Sequence, residues 1–210
     1  MTDTDLIVIA KEPRPGLVKT RLTPPYSPEQ AAELAEAALA DTLDTVVATP
    51  AVRRVLALSG EPGPWLPPGL EIIAQRGEGL DERLATAFDD AHRGRPLVLI
   101  GMDTPQVTTA LLVAAGRALS SHDAVFGPAE DGGFWLLGLR MPDPGLLTGV
   151  PMSRPDTGAA QLARLRRAGL RVAVLPELID VDTATDAERV AACAPHGRFA
   201  RAVRGVRVSA

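Results

Sequence analysis

The chain has 210 residues, 46% of them hydrophobic, with a formal charge of −4 and a pI near 5.4. That is enough apolar mass to bury one substantial core, so one domain over 1–210 is expected. The acidic balance excludes the general basic footprint of a nucleic-acid binder and leaves room only for a local basic site.

The start, "MTDTD", is acidic where a signal peptide needs a basic segment. No apolar run approaches the roughly 18 residues of a membrane span, so a soluble, cytoplasmic protein is expected, without membrane partners. "LIVIA" (6–10) is the first short aliphatic run. "RRVLALS" (53–59), "EIIAQ" (71–75), "PLVLIG" (96–101), "DAVFG" (123–127) and "RVAVLP" (171–176) follow. Continuous runs of this length suit strands buried on both faces. The first helix is expected over 27–48, with Ser27 as cap, Pro28 at the first helical position and Gln30 closing a capping box. Its apolar residues Leu34, Ala38, Leu39 and Leu43 keep helical spacing. Further helices are expected at about 80–93, 107–119, 157–168 and 184–193. "GEPGPWLPPG" reads as a surface loop. Strand–helix alternation gives a mostly parallel sheet with helices on both faces.

"DGGFWLLGLR" (131–140) breaks this rhythm. Almost no residues separate it from the preceding strand, and a parallel crossover needs a dozen or more, so an antiparallel strand is expected. Cys193 is the only cysteine, which rules out an internal disulfide and predicts a small buried or half-buried side chain. The tail, with Arg198, Arg201, Arg204 and Arg207 three apart, reads as a solvated face or a loose basic end over 199–210.

The chemistry starts in "IAKEPRPGLVKTRL" (9–22). Lys11 and Lys19 are the only two lysines among 22 basic residues. Ligands of doubly wound sheets sit beyond the carboxyl ends of the strands, and this loop follows the first strand. With Arg14 and Arg21 it sets four cations there, which suits a polyphosphate; a lysine offers a compact charge with rotatable donors. Two lysines in one solvated loop is the alternative. A Walker A loop and a dinucleotide fingerprint are both missing.

Carboxylates complete the picture. Asp103 in "GMDTPQV" stands just past a buried strand, where it can hold Mg²⁺ near a phosphate or simply cap the next helix. Asp180 and Asp182 in "IDVDTATD" are two apart and point to one side of an extended segment. Asp103 with Asp182 or Asp180 would make a Mg²⁺ (or Mn²⁺) site if the fold joins them. "GPAEDGGFW" adds Glu130 and Asp131 beside Gly132 and Gly133, which either let amides approach a ligand or shape a turn. "QRGEGLDERLATAF" adds Arg83. The three histidines are scattered, and neither a nucleophilic triad nor metal spacing appears.

Taken together, "IAKEPRPGLVKTRL", "QRGEGLDERLATAF", "GMDTPQV", "GPAEDGGFWLLGL" and "DVDTATDAERV" resemble the small bacterial GT-A-like transferases, described as glycosyltransferases or nucleotide-diphospho-sugar transferases. These are similar in fold to 2-phospho-L-lactate guanylyltransferase and molybdenum-cofactor guanylyltransferase. The resemblance covers about 6–193. It implies a three-layer α/β/α GT-A-like (Rossmann-like) nucleotide-binding fold, mostly parallel with one antiparallel strand. It implies a nucleotide or sugar nucleotide held by Ala10, Lys11, Gly16, Lys19, Arg21 and Arg83. A metal is implied at Asp103, and a small-molecule acceptor near Glu130, Asp131, Gly132 and Gly133. The last motif reads "DTATD" where "DTPED" is usual, and "PMSRPDTGAAQ" diverges. A homodimer is compatible with all of this.

Three functions follow. In nucleotidyl transfer, Lys19 and Arg21 neutralise the β,γ-phosphates while metal on Asp103 and Asp182 positions the α-phosphate. In glycosyl transfer, Glu130 or Asp131 acts as base on an acceptor hydroxyl. A nucleotide-binding domain without catalysis is the third. The basic loop favours nucleotidyl transfer, because a triphosphate carries more charge than a diphosphate. The Asp103-Thr-Pro pattern also lacks the second acid of a DxD motif.

Overall fold

A computed structural model of the chain describes residues 3–206. Seven strands form one sheet: β1 (Asp5–Lys11), β2 (Arg54–Ser59), β3 (Glu71–Ala74), β4 (Leu97–Gly101), β5 (Ala124–Pro128), β6 (Phe134–Leu139) and β7 (Val172–Val174). The spatial order is β3-β2-β1-β4-β6-β5-β7. β6 runs antiparallel to both β4 and β5, and every other pair is parallel. The chain turns directly from β5 into β6, too short a connection for a crossover, so the antiparallel strand lies where the spacing requires it.

Helices cover both faces: α1 (Pro28–Ala48), α2 (Leu80–Ala91), α3 (Thr109–Ala118), α4 (Thr157–Arg167), α5 (Ala184–Cys193) and α6 (Arg198–Gly205). Alternation along β1 sorts the two cores. Leu6, Val8 and Ala10 pack with Leu39 and Leu43 of α1 and Leu112 of α3. Ile7 points the other way, to Leu84 and Phe88 of α2 and Leu165 of α4. This is the period-2 geometry of a strand buried on both faces. α1 begins as expected: the Gln30 amide donates to Ser27 Oγ at 3.2 Å and the Ser27 amide to Gln30 Oε1 at 2.8 Å. α3 starts two residues later than expected, because the Thr108 side chain caps it.

Two expectations change. Arg198–Gly205 is a helix, not a loose end, with Phe199 and Ala200 buried against α1 and α5. The Asp41 carboxylate caps it, accepting from the amides of Arg198 at 3.0 Å and Phe199 at 2.9 Å. Arginines three apart are what such a helix exposes when Phe199 faces inward; Arg207 lies outside the described residues. Cys193, the last residue of α5, is exposed, not buried. Among the described residues no helix is long and apolar enough to cross a membrane.

Candidate active site

The carboxyl ends of β1 and β4 open into a cleft of about 840 Å³. One wall is the loop after β1. A second is the turn 129–133 between β5 and β6, folded by the Gly132 amide donating to the Ala129 carbonyl at 3.0 Å. The third is the segment 178–182 that leads into α5. That segment runs across the strand ends: Leu178 bridges Ala129, and the Val181 amide donates to the Asp103 carbonyl at 3.0 Å. Val181 is buried, so the flanking Asp180 and Asp182 both turn into the cleft.

This brings residues 131, 180 and 182 together. One carboxylate oxygen from each of Asp131, Asp180 and Asp182 lies within 4.8 Å of the others. The Gly133 amide donates to Asp131 Oδ1 at 2.7 Å and fixes that side chain. Burial, and behind it the charges of Asp131 and Asp182, push the Asp180 carboxyl up to about 6, against the weaker pull of its own backbone and Lys19. Three carboxylates with too little positive charge among them are a donor set for a hard divalent cation, so the residues fit Mg²⁺ or Mn²⁺.

Asp103 is held differently. Its Oδ1 lies 2.8 Å from Lys19 Nζ, and Asp182 Oδ1 lies 3.9 Å from the same ammonium. The two carboxylates expected to share a metal both face this one lysine. Lys19 also donates to the Val181 carbonyl, and its side chain is only 8% exposed. Arg21 pairs with Asp182 at 2.6 Å. Arg14 turns to Glu12 at 2.7 Å and leaves the cleft. Lys11 is exposed on the cleft wall, and among the described residues it is the cation of this loop without a carboxylate partner.

Ala10, Lys11, Lys19, Arg21, Arg83, Asp103, Asp131, Gly133, Asp180 and Asp182 therefore line one cleft. Three expected site residues do not. Gly16 has φ +76 with open space around its α-carbon and shapes the loop away from the cleft. Glu130 is turned out to Arg189 of α5, accepting two hydrogen bonds at 2.9 and 3.1 Å. Gly132, at φ +87, lies so close under Pro155 that an added Cβ would sit 1.9 Å from its carbonyl oxygen. Its close approach is to the backbone of Pro155. Arg83 donates to the carbonyls of Gly77 at 3.1 Å and Glu78 at 3.3 Å and lines the wall from α2.

Sequence reasoning missed the supports. Gln75 Nε2 donates to the carbonyls of Ala10 at 2.7 Å and Ala57 at 2.9 Å, fastening the ends of β1 and β2 at the cleft floor. The Lys11 amide donates to Met102 Sδ at 3.3 Å. Met152, Ser153, Arg154 and Pro155 form a further wall. The only advance signal was the divergent "PMSRPDTG" stretch that contains them.

A protein-family profile described as "Uncharacterized protein conserved in bacteria (DUF2064)" matches residues 33–154, more than half of the chain. The chain belongs to this family. The curated 2-phospho-L-lactate guanylyltransferase of Natrialba magadii is 32% identical over 138 residues, covering 60% of this chain and 58% of its own length. A crystal structure from Desulfovibrio desulfuricans G20, provisionally described as a nucleotide-diphospho-sugar transferase, superposes with a TM-score of 0.86. It is 29% identical and covers 97% of this chain and 95% of its own. A manganese complex of Rv0371c from Mycobacterium tuberculosis H37Rv has a TM-score of 0.55 at 21% identity, covering 90% and 98%, a likeness of fold alone. These relatives agree with the GT-A-like architecture that the motifs imply.

The Asp180 carboxyl has a consequence for stability. Its folded value near 6 exceeds the ordinary 3.8, so the folded state prefers the protonated acid. Stability from this group is fully present below 3.8 and is lost as pH rises to about 6. In EDTA at pH 7.5, Asp180→Asn is therefore expected to raise Tm by about 3 °C, a gain that vanishes toward pH 4. Equal Tm values at pH 7.5 would remove burial and like charge as the state of this carboxyl.

Proposed function

We infer that the chain is a divalent-metal-dependent nucleotidyltransferase. The observation that carries this reading is the division of charge in one cleft: the exposed Lys11 of the first loop and the three clustered carboxylates of Asp131, Asp180 and Asp182 line it together. A nucleoside triphosphate needs both, cations for its phosphates and acids for the metal that accompanies it. The name of the 32%-identical guanylyltransferase supports this class of reaction. Its acceptor and its base are not carried over.

In the proposed reaction an acceptor oxygen attacks the α-phosphorus of the triphosphate. The bond from that phosphorus to the bridging oxygen breaks, and pyrophosphate leaves with the electron pair. Lys11, and Arg83 from the second motif, neutralise the phosphates and hold them in line. Arg21 keeps Asp182 oriented through its 2.6 Å pair. Asp131, Asp180 and Asp182 hold Mg²⁺ or Mn²⁺, which when bound supplies charge neutralisation at the phosphates. An acceptor phosphate requires no strong base, in keeping with the scattered histidines. The wall at Met152–Pro155 beside Asp131 is assigned to the acceptor. Lys11→Met is expected to raise KM for the triphosphate about tenfold with kcat little changed, as loss of a uniform binding contact does.

A second reading is glycosyl transfer from a nucleotide-diphospho-sugar, favoured by the description of the 29%-identical, full-length relative and by the exposed Asp131 as a base. One screen separates the two. The protein is incubated with Mg²⁺ and each NTP or NDP-sugar, followed by thermal shift and by assay of released pyrophosphate or NDP. Stabilisation by an NTP with acceptor-dependent pyrophosphate supports nucleotidyl transfer. NDP release from a sugar nucleotide replaces it with the second reading, and binding without turnover leaves a binding domain.

A further inference from the structure

Lys19 is placed against the habit of its residue type. A lysine that serves phosphates usually reaches into its cleft, yet this side chain is 8% exposed. Its backbone sits at φ 49, ψ 38, a left-handed conformation that a residue with a Cβ holds only at some cost. The ammonium is surrounded by one carbonyl, of Val181, and by carboxylates of Asp103 and Asp182. Carbonyl and carboxylate oxygens are the donors of a hard-cation site, filled here by an ammonium.

Asp182 belongs to both sets. It faces Lys19 at 3.9 Å, and its carboxylate is one of the three clustered with Asp131 and Asp180. A divalent cation drawn to that cluster competes for Asp182 and repels the ammonium beside it. We propose that Lys19 is the counter-cation of the metal-free site, and that a divalent ion expels its ammonium into the cleft, where it becomes a phosphate ligand. This rests on the reading of the cleft as a metal and polyphosphate site. It gives the two lysines different tasks. Lys11 is exposed and meets the nucleotide first, while Lys19 is withheld until metal is present. Coupling of this kind is reciprocal: what metal does for Lys19, the removal of Lys19 does for metal.

The chain contains only these two lysines, so their reactivity can be read separately. The full-length protein is treated briefly with an amine-acylating reagent, in EDTA or in saturating Mg²⁺, and its peptides are quantified by mass spectrometry. In EDTA, Lys11 should be modified and Lys19 protected. Mg²⁺ should raise the rate at Lys19 about tenfold, with Lys11 nearly unchanged, as the ammonium of a side chain only 8% exposed enters water. Continued protection of Lys19 in Mg²⁺ overturns the proposal.

A second measurement uses Mn²⁺ binding, followed by the paramagnetic signal of the free ion and by Tm. Lys19→Gln keeps a donor for the Val181 carbonyl but removes the charge, and it should bind Mn²⁺ about tenfold more tightly than the parent. Lys19→Arg keeps the charge and should bind as the parent does. If Lys19→Gln is unfolded in EDTA, recovery of a cooperative transition on adding MnCl₂ supports the proposal, and no recovery overturns it. Equal or weaker Mn²⁺ binding in Lys19→Gln also overturns it. Absence of Mn²⁺ binding in the parent protein would instead strike the metal reading itself.

Discussion

Asp182→Asn should reduce turnover about a thousandfold and abolish the Mn²⁺-dependent rise in Tm. Asp182 is the junction of the site. Its Oδ2 receives Arg21 Nη1 at 2.6 Å, its Oδ1 faces Lys19 Nζ at 3.9 Å, and it closes the cluster with Asp131 and Asp180. Asparagine keeps the shape but removes the charge that all three neighbours answer to. The cluster then offers two carboxylates, and one of them, Asp180, is already poorly ionised at low pH because of its burial. Metal affinity falls and Arg21 loses its ionic partner, while Lys19 keeps Asp103 and the Val181 carbonyl. Stability in EDTA should not fall in parallel. Removing a like charge beside Asp180 relieves the repulsion that raises its pKa, offsetting the lost ion pairs. Metal titration by Tm, together with initial rates, separates the two effects. Turnover within about threefold of the parent would remove Asp182 from the catalytic machinery.

Gly132→Ala should lower stability by about 3 kcal/mol or more, a drop in Tm of several degrees. The clash has no easy escape. The added Cβ would lie 1.9 Å from the Pro155 carbonyl oxygen and 2.6 Å from its carbonyl carbon, both backbone atoms. The φ of +87 adds a conformational cost for any L side chain. The Gly132 carbonyl also accepts from the Gly158 amide at 2.7 Å at the start of α4. Relief would therefore push the 151–155 wall away from the turn that carries Asp131. Gly16→Ala is the matched control. Its φ is +76, but open space surrounds it, so it carries the conformational cost without the clash, about 1 kcal/mol. Chemical denaturation of both variants reads the difference. Equal losses would show that backbone conformation alone, and not the contact with Pro155, makes glycine necessary at 132.

The chain itself determined a large part of this molecule, for local physical reasons. All seven strands were legible: β1, β2, β4 and β5 because buried strands are continuously apolar, β3 and β7 from short aliphatic runs that lie at the sheet's more exposed edges. The antiparallel β6 was legible because 129–133 is too short to cross over. The start of α1 was written in Ser27, Pro28 and Gln30, which satisfy its first amides from within four residues. The composition of the cleft was legible as well, since doubly wound sheets expose their loops at the carboxyl edge.

Tertiary structure decided what nearby residues of the same type do. Lys11 and Lys19 are eight positions apart in one loop, yet one is exposed and the other has its side chain folded down onto the Val181 carbonyl and Asp103. Glu130 and Asp131 are adjacent, yet Arg189 draws the first outward while the Gly133 amide holds the second in the cleft. The tail became α6 because Asp41, 157 positions earlier, caps it, and the surfaces of α1 and α5 cover Phe199. Except for the Gly133 amide, which holds Asp131 from within its own turn, the deciding partner lies far along the chain or on another element. Local periodicity and charge specify which groups are present at the sheet's edge. Only packing sets which of their many partners is within reach, and that distance decides whether a charge is spent inside the protein or left for a ligand.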